Sequence, residues 1–187
     1  MEHFFENIEG WFNFQSIYEY VIDIGEDGDH FVEVGAWKGR SAAFMAVEIA
    51  NSGKHIKFDV VDTWKGSEEH ITPGQHYEPL IAEDRLYEHF LENMKPVESY
   101  YTPIRMTSLE AAGLYKDNSL DFVLLDASHT YEDVKADIQA WLPKIKSGGI
   151  LAGDDYHVSW PGVINAVNEM FTDVQIVNDV SWAYKKP

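Results

Sequence analysis

Five short apolar runs, separated by four stretches with helical spacing, constrain this 187-residue chain more than any other feature. They are HFVEV (30–34), KFDVVD (57–62), YTPIRM (101–106), DFVLLD (121–126) and GILAGD (149–154). Between them, SAAFMAVEIANSG (41–53), LIAEDRLYEHFLENM (80–94), a helical turn around SLEAAGLY, and YEDVKADIQAWLPKI (131–145) repeat apolar residues every three or four positions. Strands joined through helices run parallel by right-handed crossovers, so the spacing predicts a mostly parallel sheet with helices on both faces. A helix at GVINAVNEMF and two strands with little between them, VQIVND and SWAYKK, predict a terminal antiparallel hairpin. With 45% hydrophobic residues and neither repeat nor linker, residues 1–187 are expected to form one domain. Residues 1–24 space their aromatic and aliphatic side chains nearer to helix than to strand, as lid or packing helices. The stretch 64–79 is long for a plain connection and is a candidate substrate loop.

Charge narrows the partners. A formal net charge of -18, from 32 acidic and 14 basic residues, argues against nucleic acid, which needs clustered Lys and Arg. The absence of cysteine excludes disulfides, thiolate zinc sites and cysteine nucleophiles, and fits a reducing compartment. The N-terminus, MEHFFENIEGWF, has acids in place of a basic leader, and no run approaches a membrane span of roughly 20 residues. A cytoplasmic protein is the expectation, acting on a small molecule and away from membranes, with a homo-oligomer left open.

In open α/β sheets, ligands bind beyond the carboxyl ends of the strands, where strand order reverses. EVGAWKGRS (33–41) stands there. Gly35 and Gly39 allow a tight turn and close approach of a ligand, and the next helix offers its first amides to an anion. Trp37 occupies the position of a dinucleotide motif's second glycine, so a pyrophosphate fits poorly and a cofactor carrying a carboxylate fits better. Glu33 is placed to accept from a cofactor ammonium, and Asp62, ending the second run, to bind ribose hydroxyls. The alternative is that both glycines serve only the turn.

These residues resemble the class I S-adenosylmethionine-dependent methyltransferases, whose first motif is an acidic residue, any residue, then Gly. The order of elements over nearly the whole chain is similar as well, which implies an α/β Rossmann-like, mostly parallel seven-stranded sheet ending in an antiparallel hairpin. Within that resemblance, Glu33, Gly35, Ala36, Trp37, Gly39 and Ser41 match the motif around the methionine moiety. Asp62 and Thr63 match the ribose and adenine position, Thr107 and Ser108 the adenine edge, and Asp126 also borders the cofactor.

The fourth and fifth runs end in carboxylates, Asp126 and the pair Asp154 and Asp155. Adjacent strands lie about 4.8 Å apart, so these acids converge at one edge and repel unless a cation or a shared proton neutralises them. An all-oxygen set suits a hard divalent ion, Mg²⁺ first, with Mn²⁺ or Ca²⁺ as alternatives. Such an ion lowers the pKa of a hydroxyl, and His129, three residues past Asp126, has the range and reach of a general base. The trio resembles metal-dependent O-methyltransferases acting on catechols and on antibiotic sugars, the macrocin and mycinamicin types. In that light Asp126, Asp154 and Asp155 are the metal ligands and His129 the base. The chain departs from the macrocin and aminocoumarin pattern in carrying Ser128 where those enzymes have a basic Asp.

Plainer readings stand beside these. Thr130 and Asp133 form an approximate capping box, which leaves Asp126 and the acidic pair unexplained. His129 is otherwise a capping or surface histidine, and His157 a loop histidine, a second base or a ligand. His70, His76 and Tyr77 either line the substrate or are ordinary loop residues. Trp64, Trp160 and Trp182 read as packing, Trp160 being the one nearest the expected pocket mouth. The expected activity is methyl transfer to a hydroxyl of a sugar or other small vicinal diol. The alternatives are a cephalosporin-hydroxylase-like oxygenase on the same fold and a non-catalytic cofactor-binding domain.

Overall fold

The computed structural model describes residues 1–71, 73 and 77–187, with the backbone alone at Glu68 and Glu69. Seven strands form one sheet: β1 His30–Val34, β2 Lys57–Asp62, β3 Thr102–Arg105, β4 Leu120–Leu125, β5 Ile145–Gly153, β6 Gln175–Val177 and β7 Ser181–Lys185. Their order is β3-β2-β1-β4-β5-β7-β6. The first five are parallel, and β7 runs antiparallel between β5 and β6, as the terminal pair of apolar runs predicts. The helices are α1 Gln15–Ile24, α2 Arg40–Ser52, α3 Glu68–Ile71, α4 Pro79–Ala82, α5 Leu86–Met94, α6 Ser108–Ala112, α7 Tyr131–Trp141 and α8 Pro161–Met170.

Alternation along the central strands feeds two cores. Phe31, Phe122 and Leu124 pack with Tyr18 of α1, Phe44 of α2 and Phe90 of α5 on one face. Val32, Val123 and Leu125 pack with Ala111 of α6, Ile138 of α7 and Ala166 of α8 on the other. This period-two division is the signature of a sheet covered on both sides. No helix among the described residues is long and apolar enough to cross a membrane.

Several boundaries differ from the sequence expectation. The helix expected over 80–94 is two helices, α4 and α5, because Asp84 adopts a left-handed φ of 51° that no α-helix accommodates. Pro143, lacking an amide hydrogen, turns the end of the 131–145 stretch into a 3-10 turn over Leu142–Lys144. The fifth strand begins at Ile145, earlier than expected, through a register shift opposite Leu120 and Phe122. Of residues 1–24, only α1 and a 3-10 turn at Phe5–Asn7 are helical.

Candidate active site

A cavity of about 370 Å³ opens at the carboxyl ends of the strands, where the order reverses between β1 and β4. Its floor is the turn after β1. Gly35 has a φ of 92°, and a Cβ there would collide with the carbonyl of Asp126. Gly39, at φ 94°, would press a Cβ to 3.0 Å from Phe90 and Met94. The space both glycines vacate is filled by neighbouring protein rather than by a ligand, so their first duty is to bring β1 against β4 and α2 against α5.

Asp62 grips this turn. One carboxylate oxygen accepts from the amides of Ala36 (2.8 Å) and Trp37 (2.9 Å), and the other from Trp64 (2.7 Å). Successive amides of this kind form an anion-binding concavity, and here the protein's own carboxylate occupies it. That gives a structural reason for the poor fit of a pyrophosphate. Lys38, 4% exposed on the same turn, bridges Glu9 (2.7 Å) of the N-terminal segment and Glu78 (2.5 Å), the N-cap of α4.

Glu33 does not line the cavity. Its carboxylate is fully buried and accepts from Tyr18 (2.7 Å) and Ser41 (2.6 Å). Burial pushes its pKa up to about 7 against those two hydrogen bonds. The direct contact with a cofactor ammonium expected from its position is therefore replaced by a buried bracket between α1, β1 and α2.

Ala36, Trp37, Ser41, Thr63 and Ser108 line the cavity with Asp62. Thr107 stands outside the lining, as the N-cap of α6 in a capping box with Glu110. Gly10, Trp11 and Asn13 also line it, which the sequence pattern alone did not show. His70 lines it too, its ring 4.4 Å from that of Trp37 and tilted by 38°. Tyr77 is exposed, and His76 lies outside the described residues.

At the other end stand the carboxylates. Asp126 follows β4, and the Asp154–Asp155 pair follows β5, with Asp155 in a left-handed conformation at φ 61°. Among the described residues, Asp126, His129 and Asp155 bring one ligand atom each within 4.8 Å of one another. His129 pairs with Asp155 at 2.8 Å and stacks on Trp160 at a ring separation of 4.0 Å. Gly162 admits this packing, since a Cβ there would collide with the carbonyl of His129. Asp154 lines the cavity, but its carboxylate accepts from Ser181 of β7 at 2.6 Å and from Asn13 at 3.3 Å. Burial, then Asp154, then Asp155 raise the carboxyl of Asp126 well above its usual range. Burial also raises Asp154, against the hydrogen bond from Ser181. Carboxylates that raise one another in this way are what a divalent cation relieves, so the residues present fit such an ion.

The remaining histidine and tryptophans separate clearly. His157 is exposed and bonds Ser159 at 3.1 Å, apart from the converging group, which holds one histidine among the described residues. Trp64 and Trp182 are core residues, each 1% exposed.

A methyltransferase-domain family matches residues 32–156, which hold the turn after β1, Asp62, Asp126, His129 and the acidic pair. The chain belongs to that family. The fold is accordingly the Rossmann-like methyltransferase sheet, with helices on both faces and the hairpin at its end. An uncharacterised protein of Sinorhizobium fredii, y4gI, is 26% identical over 157 residues, covering 83% of this chain and 16% of that protein. The chain thus spans about one sixth of the length of this curated relative. Among solved structures, the O-methyltransferase NovP superposes with a TM-score of 0.69 at 18% identity, covering 93% of this chain and 78% of NovP. Aeropyrum pernix fibrillarin with bound S-adenosylmethionine gives 0.56 at 13% identity, covering 86% of this chain and 67% of fibrillarin. Membership of this family supports binding of S-adenosylmethionine.

Proposed function

We propose that this chain transfers the methyl group of S-adenosylmethionine to a hydroxyl oxygen of a sugar or other small vicinal diol. The observation that carries this reading is the convergence of Asp126, Asp155 and His129 at the edge of the cavity whose floor is the turn after β1. Asp126 and Asp155 would hold a divalent ion, Mg²⁺ by their oxygen donors, with Asp154 adding its charge from behind. When bound, that ion supplies a lowered hydroxyl pKa and a fixed orientation for the acceptor.

The chain's own groups do the rest. His129 Nε2 pairs with Asp155 at 2.8 Å, which orients the imidazole for its role as general base. Stacking on Trp160 holds the ring plane. His129 would take the proton of the acceptor hydroxyl, and S-adenosylmethionine, when bound, would supply the methyl group, a C–O bond forming as the C–S bond breaks with its electron pair going to sulfur of S-adenosylhomocysteine. Alignment of the two partners in one cavity supplies most of the remaining acceleration.

The test is transfer of radiolabelled methyl from S-adenosylmethionine to a panel of catechols and glycosides, before and after EDTA. Activity that falls with EDTA, returns with Mg²⁺ and drops at least about 100-fold in His129→Ala at unchanged cofactor affinity is the expected result. Full activity of the EDTA-stripped enzyme would remove the metal from the scheme. Equal loss of turnover and cofactor affinity in His129→Ala would make the histidine structural.

A further inference from the structure

The segment before α1 borders the cavity from outside the family-matched stretch 32–156, so membership of the family assigns it no duty. Ile8 and Phe14 are buried in the core shared by α1 and α2. Residues 9–13 between them are tied at both ends. Arg40 donates to the carbonyl of Ile8 at 3.0 Å, and Lys38 pairs with Glu9 at 2.7 Å. Further along, the amide of Asn13 donates to Asp154 at 3.3 Å, and its carbonyl accepts from Asn178, between β6 and β7, at 3.4 Å. A segment held in this way is a fixed wall rather than a loose tail. Gly10, Trp11 and Asn13 are the residues it gives to the cavity. Trp11 is 59% exposed, its ring 6.2 Å from that of Trp37, and it is the largest exposed side chain among the described residues of the lining. A lone apolar residue on a surface is ordinary. This one stands on a pinned backbone, next but one to a side chain bonded to the acidic pair. The polar groups of that end are already engaged. Asn13 is bonded to Asp154, and His129 is paired with Asp155. Ser128 donates to Asp133 at 2.7 Å and accepts from the amide of Thr130 at 3.3 Å. The rim therefore meets a second ligand chiefly with a flat apolar surface.

We propose that Trp11 is a specificity-determining residue for the methyl acceptor, its indole lying against one apolar face of the ring that carries the hydroxyls. The inference rests on the reading of the cavity as the site of methyl transfer to a diol. An aromatic diol offers such a face through its π system, and a sugar through the side of the ring where its C–H bonds gather. The platform selects for a ring, and an open-chain diol gains nothing from it.

The test is calorimetry on the full chain loaded with Mg²⁺ and S-adenosylhomocysteine, titrated with catechol and with a methyl glycoside. The wild type is expected to bind at least one probe. Trp11→Ala should weaken that probe at least about tenfold, stacking and buried area being lost together, while S-adenosylhomocysteine binds within about twofold of wild type. Trp11→Phe keeps a flat face and should bring the probe back to within about threefold of wild type. A loss confined to catechol assigns the platform to an aromatic acceptor, and a loss confined to the glycoside assigns it to a sugar. Unchanged probe affinity in Trp11→Ala overturns the proposal. So does an equal loss of probe and S-adenosylhomocysteine, which makes Trp11 part of the wall alone. A wild type that binds S-adenosylhomocysteine and neither probe sinks the diol reading itself, and the platform with it.

Discussion

Replacing Glu33 by Gln should make the protein more stable relative to the wild type as pH rises. The carboxylate is buried beneath the turn after β1, and burial lifts its pKa from 4.5 to about 7. Because this is an acid raised on folding, the folded state holds the proton more tightly than the unfolded chain. The wild type therefore loses stability as pH climbs through the window from 4.5 to about 7, and the loss is complete above it. At about 1.36 kcal/mol per pH unit the whole effect is about 3.4 kcal/mol, of which about 2.5 kcal/mol falls between pH 5 and pH 8.5. Glutamine cannot ionise, so the variant escapes this term. Relative to the protonated acid, it also sets an amide that donates where Tyr18 or Ser41 needs an acceptor, a cost of about 1–3 kcal/mol that does not alter the trend with pH. Other titrating groups cancel in the difference between the two proteins. Urea denaturation without cofactor, followed by tryptophan fluorescence at pH 5 and pH 8.5, measures it. A difference in stability that moves by less than about 0.5 kcal/mol between the two pH values refutes the account of Glu33 as a buried, destabilised acid.

Two further outcomes follow from the floor of the site. Gly35→Ala forces a Cβ against the carbonyl of Asp126 at a positive φ, so it should cost about 3 kcal/mol or more in denaturation and abolish cofactor binding. Asp62→Asn replaces one of the oxygens that hold Ala36, Trp37 and Trp64 with an amide that donates, and should cost about 2 kcal/mol with at least a tenfold loss of S-adenosylhomocysteine affinity by calorimetry. Unchanged affinity in that variant would separate the hold on the turn from ligand binding.

The parallel strands and the acidic edge were legible because both depend on local signals. Apolar runs mark β4 and β5, and each ends at the same side of the sheet, which places Asp126 and Asp155 together once the strands are parallel neighbours. Partnerships across long stretches of chain carried no such signal. Ser181 reaches Asp154 across 27 positions and Asn13 reaches it across 141, and neither residue type announces that duty. Glu33 was legible as a motif residue but not in the direction of its carboxylate, which depends on Tyr18 packing from α1. Asp84 broke an otherwise continuous helical period because one left-handed residue redirects a chain without changing its hydrophobic pattern.

The hairpin at the far end of the sheet has a reach beyond closing an edge. Gly153 lets Trp182 lie across β5, and the residue before that tryptophan holds the carboxylate of Asp154 from behind. Exchanging β7 for a strand that lacks a hydroxyl at this point would retune the innermost acid while leaving the turn after β1 in place. The last ribbon of the polypeptide thus acts as a tuning peg for the anionic end of the cavity.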